Sequence, residues 1–137
     1  MTIVVLDAEA VHALMDRSSS KHVKALSFVE ADRGSHRRRP GGRQFVVPST
    51  VRVEAGWDRT AASAAFVNRL GIDDHFLDRG TTDVAARLRM QHRVSPADAH
   101  IGALIASHTG EQIAVITSDV ADIAAVANRA PVTIVRL

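Results

Sequence analysis

The stretch of sequence that decides the fold is VSPADAHIGALIASHTGEQIAVITSDVADI, residues 94–123. Its first part is typical of a helix start, because Ser95 is a good N-cap residue, Pro96 suits the first helical position and Asp98 places an acid in the first turn. We expect this helix to run to about His108, and Gly110 then closes it.

A short apolar run, residues 113–116, follows this helix. Runs of this kind are typical of strands buried in a parallel sheet. Thr117, Ser118 and Asp119 come next, and a further helix begins after them, so Asp119 is expected at the carboxyl end of a strand. Open α/β sheets place their functional sites at that end of their strands.

The rest of the chain repeats the alternation of strand and helix. The other predicted strands cover residues 3–6, 45–47, 72–77 and 132–135, of which 72–77 is expected at a sheet edge. The other predicted helices cover residues 8–15, 21–31, 51–57, 60–70 and a segment that begins at Thr81 or Thr82. Ser49 or Thr50 is expected to cap the helix over residues 51–57. Four or five short strands joined by helical crossovers predict an α/β fold with three layers, in which a parallel sheet of about five strands is flanked by helices.

Length and composition set limits on the kind of protein. A chain of 137 residues with 46% apolar residues is expected to form one domain, residues 1–137, with a single core. The absence of cysteine excludes disulfides, thiolate metal ligands and thiol nucleophiles. Because no run approaches the roughly 18 apolar residues of a membrane span, and because the first residues lack a basic leader, we expect a cytoplasmic protein with no membrane partner.

The basic residues are unusual in kind. The chain has fifteen arginines and two lysines, and five of the arginines fall in the loop RGSHRRRPGGR, residues 33–43. Clustered arginines in a Gly- and Pro-containing loop suit contacts with phosphate groups, so Arg37, Arg38 and Arg39 are candidate RNA-binding residues. A plain solvated connection is the alternative interpretation of this loop.

Four acids occupy similar places in the pattern. Asp7, Glu54, Asp98 and Asp119 each lie at the end of a predicted strand or in the first turns of a helix. Any one of them could simply cap its helix, and Asp119 with Asp122 imitates a capping box. Carboxylates that gather at one sheet edge repel one another unless a cation lies among them, and oxygen ligands without cysteine favour Mg²⁺ or Mn²⁺.

Two further features carry simpler interpretations. Trp57 is predicted on the same helical face as Glu54, where it serves as a core anchor or stacks on a base. The acids around the third predicted strand, Asp73, Asp74 and Asp78, are expected to be solvated.

Four segments together carry a resemblance to a known family. They are IVVLD ending in Asp7, STVRVEAGW with Glu54, SPADAHIGALIA with Asp98, and AVITSDVADI with Asp119 and Asp122. In order and spacing, over nearly the whole chain, these segments resemble the PIN-domain ribonucleases, and the size and layout resemble VapC-type toxins of toxin–antitoxin pairs.

The resemblance implies a sheet with strand order 3-2-1-4-5, a metal-dependent endonuclease that acts on RNA, a homodimer, and a small antitoxin that occupies the cleft. Asp7, Asp98 and Asp119 would be metal ligands, and Glu54 would order water at the metal or a second ion. Asp122 is a further candidate ligand. Thr117 and Ser118 would orient the last acid or touch the phosphate.

The chain departs from the family pattern at Glu9, where a small or hydroxyl residue is usual, so a fifth acid either borders the cleft or points to solvent. The arginine-rich loop, residues 33–43, is also longer and more basic than the family pattern.

Other functional classes also begin with a strand that ends in Asp. Phosphoacceptor receivers and haloacid-type phosphatases need a lysine late in the chain, whereas the lysines here are Lys21 and Lys24. A histidine-ligated metal enzyme is disfavoured, since His100 lies roughly opposite Asp98 on its helix. The main alternative is a catalytically inactive PIN-like module that binds RNA or protein, and such a module would be expected to have lost some of the acids.

Overall fold

A five-stranded parallel sheet forms the centre of the computed structural model, which describes residues 1–31 and 42–137. The strands are Thr2–Leu6 (β1), Arg43–Pro48 (β2), Asp73–His75 (β3), Gln112–Thr117 (β4) and Val132–Arg136 (β5). Each pairs in parallel with its neighbour in the order β3-β2-β1-β4-β5. The predicted α/β fold and strand order are therefore confirmed.

Helices connect these strands and flank the sheet. They are Ala8–Met15 (α1), His22–Glu30 (α2), Ser49–Ala55 (α3), Ala65–Asn68 (α4), Arg79–His92 (α5), Pro96–Ser107 (α6) and Val120–Ala127 (α7), with a 3₁₀ turn at Ala62–Ala64. Within residues 1–31 and 42–137, no helix is both long and apolar enough to cross a membrane.

The helix α6 is buried along most of its length because it packs against α3, α5, α7 and β2. Gly102 lies where this packing is tightest, and a methyl group there would come within 2.7 Å of Leu88 on α5 and 2.8 Å of Val126 on α7. The glycine therefore lets α6 approach both neighbouring helices closely.

The predicted helix over residues 60–70 forms only in part. Helical structure covers residues 62–68, where the 3₁₀ turn Ala62–Ala64 continues directly into the four-residue α4, and side-chain hydrogen bonds hold the residues around it. Asp58 Oδ1 accepts hydrogen bonds from the backbone and hydroxyl of Thr60. Asn68 donates to the carbonyl of Arg59 at 2.8 Å and accepts from the indole of Trp57 at 3.0 Å. These hydrogen bonds satisfy the Trp57 indole, the Arg59 carbonyl and the polar groups of Thr60.

Trp57 does not share a helical face with Glu54. The helix α3 ends at Ala55, and Gly56 adopts a left-handed conformation with φ of 70° that turns the chain inward. Trp57 is buried, and the guanidinium of Arg59 lies 4.3 Å from its ring centre. The core-anchor interpretation is therefore confirmed, and base stacking by this side chain is not possible in this conformation.

The expectation that Asp74 is solvated is also wrong. Arg52 on α3 approaches its Oδ1 at 3.1 Å, and Arg59 approaches its Oδ2 at 3.1 Å. Asp74 lies on β3, so these ion pairs attach α3 and the loop after it to the edge of the sheet.

Two predicted helix starts also need correction. Asp78 caps α5 in a capping box with Thr81, so this helix starts before Thr81. Neither Ser49 nor Thr50 caps α3, whose N-cap position is Pro48 without a side-chain hydrogen bond.

Candidate metal centre

Two neighbouring strands, β1 and β4, end side by side and bring acids together at the carboxyl edge of the sheet. Leu6 pairs with Ile116 in the sheet register, and the backbone N–H of Asp7 donates to the Ile116 carbonyl at 3.2 Å. Asp119 lies two residues beyond the end of β4. The parallel topology therefore places Asp7 and Asp119 at one edge.

Asp7 is the most deeply buried of these acids, with 5% of its surface exposed. It is the N-cap of α1, and its Oδ1 accepts a hydrogen bond from the Ala10 N–H at 2.7 Å. Burial raises the pKa of Asp7, and hydrogen bonds from the Thr117 hydroxyl and from the backbone of Ala10 and Ser118 oppose that rise. The Asp7 carboxylate is thus held in place from several sides.

Thr117 links the two acids that follow β1 and β4. This residue is fully buried, and its Oγ1 accepts a hydrogen bond from the Asp119 N–H at 2.9 Å. The Thr117 hydroxyl and the Ser118 backbone also lower the pKa of Asp7. Thr117 and Ser118 therefore lie next to the acids.

Three carboxylates form a compact group at this edge. Oxygens of Asp98, Asp119 and Asp122 lie within 4.8 Å of one another. Asp98 comes from the first turn of α6, where the Ser95 hydroxyl caps the helix by accepting from its N–H at 3.1 Å. Asp119 caps α7 and accepts from the N–H of Asp122 at 3.2 Å. Two helix starts therefore direct acids to the same place.

The group is electrostatically strained without a cation. Burial first, and then repulsion from Asp119, Asp122, Asp7 and Glu54 in that order of strength, together raise the pKa of Asp98 to about 6. The pKa of Asp122 is also raised, first by burial and then by sharing a proton with Asp119. The other three acids predicted from the sequence, Asp7, Glu54 and Asp119, thus all raise the pKa of Asp98.

Glu54 lies at the margin of the group. It is exposed near the end of α3, and its effect on the pKa of Asp98 is the weakest of the four. Glu9, the acid outside the family pattern, forms an ion pair with Lys21 at 3.2 Å. Glu9 is also the last and weakest of the causes that act on the pKa of Asp7, which it raises.

The candidate RNA-binding residues Arg37, Arg38 and Arg39 lie outside the described residues. The RNA-binding prediction for these arginines therefore stays a prediction. The predicted loop over residues 33–43 is too long at its end, because Arg43 begins β2.

His100 has a role that its type and spacing did not predict. It is fully buried, and both ring nitrogens are engaged, Nδ1 with Thr50 at 2.8 Å and Nε2 with His75 at 2.9 Å. The ring is therefore not available as a metal ligand. A signal was present in the sequence, since a histidine among the apolar residues of a buried helix requires buried hydrogen-bond partners.

The donor set of Asp98, Asp119 and Asp122 fits a hard divalent cation. All the donors are carboxylate oxygens, which Mg²⁺ and Mn²⁺ prefer, and a dication would relieve the repulsion that raises the pKa of Asp98. These three residues could therefore hold a metal ion. Asp7, which the resemblance made a ligand, lies outside this group, whereas Asp122, the further candidate ligand, lies within it.

One consequence concerns stability at different pH in the metal-free protein. Because the folded-state pKa of Asp98 is about 6 against 3.8 when unfolded, the stabilising contribution of its protonated form is fully present below pH 3.8, decreases above it and is lost as pH rises through 6. We expect Asp98→Asn to be more stable than the wild type at pH 7.5, by about 1 kcal/mol because solvent screens a half-buried carboxylate, and to lose most of this advantage at pH 4.5.

Urea denaturation in EDTA at the two pH values measures this difference. The comparison with the variant removes contributions common to both proteins, including that of His100, whose pKa burial lowers to about 4 and which therefore acts in the opposite direction. A difference between the two proteins that does not change with pH would contradict the electrostatic description of Asp98.

Comparison with known proteins adds no identification: no protein-family model matches the chain, and no curated protein matches it.

Proposed function

We propose that this chain is a metal-dependent endoribonuclease of the PIN type. The observation that carries the proposal is the group of Asp98, Asp119 and Asp122, whose oxygens lie within 4.8 Å of one another at the carboxyl edge of a parallel sheet. This arrangement suits Mg²⁺ or Mn²⁺, and it lies where α/β folds place their active sites.

In the proposed mechanism, Asp98, Asp119 and Asp122 hold the ion, and Asp7 completes the acidic edge. When bound, such an ion would act as a Lewis acid, which would neutralise charge on the phosphodiester and activate water for in-line attack. The protein contributes placement, because the buried Thr117 accepts a hydrogen bond from the Asp119 backbone and its hydroxyl lowers the pKa of Asp7. Glu54, which is exposed near the end of α3, would orient the attacking water and accept its proton.

The wider biological assignment comes from the resemblance of the four segments to VapC-type toxins. On that basis we propose that RNA is the substrate, that a cognate antitoxin neutralises the enzyme, and that the enzyme works as a homodimer. An excess of arginine supports an anionic substrate, since the planar guanidinium matches phosphate geometry.

The test is incubation of the purified protein with total RNA in Mn²⁺ or Mg²⁺, with and without EDTA. We expect metal-dependent cleavage whose rate EDTA lowers by at least about 100-fold, because the bound ion would lower the activation free energy by several kcal/mol. Cleavage that persists in EDTA would contradict the metal-carboxylate mechanism. RNA binding without cleavage in any metal would instead favour a catalytically inactive PIN-like binding module.

A further inference from the structure

Hydrogen bonds through a buried histidine join three elements next to the acidic edge. His100 on α6 bonds to Thr50 Oγ1 on α3 at 2.8 Å and to His75 Nδ1 on β3 at 2.9 Å. His75 pairs in the sheet with Pro48, the residue directly before α3. Because His100 is fully buried, losing either bond would leave an unsatisfied polar atom in the interior. These bonds therefore fix α3, α6 and β3 relative to one another.

The helix α3 depends on such contacts for its position. It has seven residues and no side-chain cap at its start, and so short a helix has little stability of its own. Near its end, Arg52 bonds to Asp74 at 3.1 Å and to the carbonyl of Trp57 at 3.2 Å. Thr50 supplies the corresponding attachment in the first turn, through His100.

Glu54 takes its position from α3 as a whole. Its side chain is exposed and makes no hydrogen bond with the residues of ranges 1–31 and 42–137. Thr50 lies four residues before Glu54 on the same face of α3, and His100 lies two residues after Asp98 on α6. The bond between Thr50 and His100 thus joins the two helices about one helical turn from Glu54, and about half a turn from Asp98, which lies on the other side of α6.

We propose that Thr50 and His100 are positioning residues, which hold α3 against α6 and so set the position of Glu54 relative to Asp98. The attachment itself follows from the geometry of the fold. Its consequence for RNA cleavage rests on the proposed function.

The attachment is tested without metal or RNA by hydrogen exchange of the backbone amides of α3. Thr50→Val keeps the shape of the side chain and removes its hydroxyl, so we expect exchange at Glu54 and Ala55 to become about tenfold faster. Thr50→Ser should restore protection. Thr133→Val, at an exposed position on β5, is the matched control and should leave α3 unchanged. Unchanged exchange of α3 in Thr50→Val would overturn the proposal.

The catalytic consequence is tested by a double-mutant cycle between Thr50→Val and Glu54→Gln. We expect Thr50→Val to lower RNA cleavage about tenfold in the wild-type background and to have no further effect in the Glu54→Gln background, while the affinity for Mn²⁺ changes less than twofold. An equal loss in both backgrounds would show that Thr50 does not act through Glu54. If the wild type cleaves no RNA, the proposed function fails, and hydrogen exchange still decides whether the attachment exists.

Discussion

Asp98→Asn should lower metal-dependent RNA cleavage by about a thousandfold, because a neutral amide cannot replace the charge of the carboxylate in a group that holds a dication. Asp98 is the member of the group that all the other acids affect, since Asp119, Asp122, Asp7 and Glu54 all raise its pKa. The amide has nearly the same shape as the carboxylate, so the fold is expected to persist. The rate of RNA cleavage in saturating Mn²⁺ measures the effect.

The matched control is Asp83→Asn, which removes an exposed carboxylate on α5 outside the group. It should cleave RNA at the wild-type rate. Circular dichroism of both variants checks that they are folded. If folded Asp98→Asn cleaves RNA at a rate near that of the wild type, the carboxylate group is not the active site.

Gly102→Ala should lower the free energy of unfolding by about 2 kcal/mol, although alanine normally stabilises a helix interior relative to glycine. The added Cβ would lie 2.7 Å from Leu88 Cδ1, 2.8 Å from Val126 Cβ and 3.1 Å from the Val126 carbonyl oxygen. The leucine side chain can rotate away, but Val126 Cβ and the carbonyl are fixed to the backbone of α7. The helices α6 and α7 must therefore separate to accept the methyl group.

Gly80→Ala is the matched control for this prediction. It also lies in a helix, and its added Cβ would meet only Asp78 Oδ1 at 3.7 Å, an ordinary contact. We expect this variant to be as stable as the wild type or about 0.5 kcal/mol more stable. Urea denaturation measures both variants, and a Gly102→Ala protein as stable as the wild type would show that α6 and α7 are not closely packed.

The close packing at Gly102 also bears on the metal centre. The helix α6 carries Asp98, and α7 carries Asp122 behind its cap Asp119. The distance between these helices therefore affects how the three carboxylates meet. Core packing and the candidate site are connected through this one glycine.

Much of the sheet could be predicted because β1, β2, β4 and β5 each contain a short apolar run with polar or turn residues on both sides, whereas β3 is polar. In a parallel sheet the carboxyl ends of β1 and β4 lie at the same edge. The placement of Asp7 and Asp119 at that edge therefore follows from their positions just after these strands. Asp98 and Asp122 could be predicted near that edge for the same reason, because each lies in the first turn of the following helix.

Long-range side-chain pairs could not be predicted in this way. Thr50 and His100 are separated by 50 residues, and His75 and His100 by 25, so no local pattern relates them. The helix predicted over residues 60–70 is shorter in the structure, and its last residue, Asn68, accepts a hydrogen bond from the indole of the buried Trp57 at 3.0 Å. In each case tertiary hydrogen bonding outweighed local propensity.

The central claim, that carboxylates at the sheet edge hold a divalent cation, is tested most directly by calorimetric titration of the metal-free protein with Mn²⁺ at pH 7.5, without RNA. We predict saturable binding to the wild type and to Asp83→Asn, and affinity at least about tenfold weaker in Asp98→Asn. Equal Mn²⁺ affinity in the wild type and Asp98→Asn, or no binding to either, would contradict the claim.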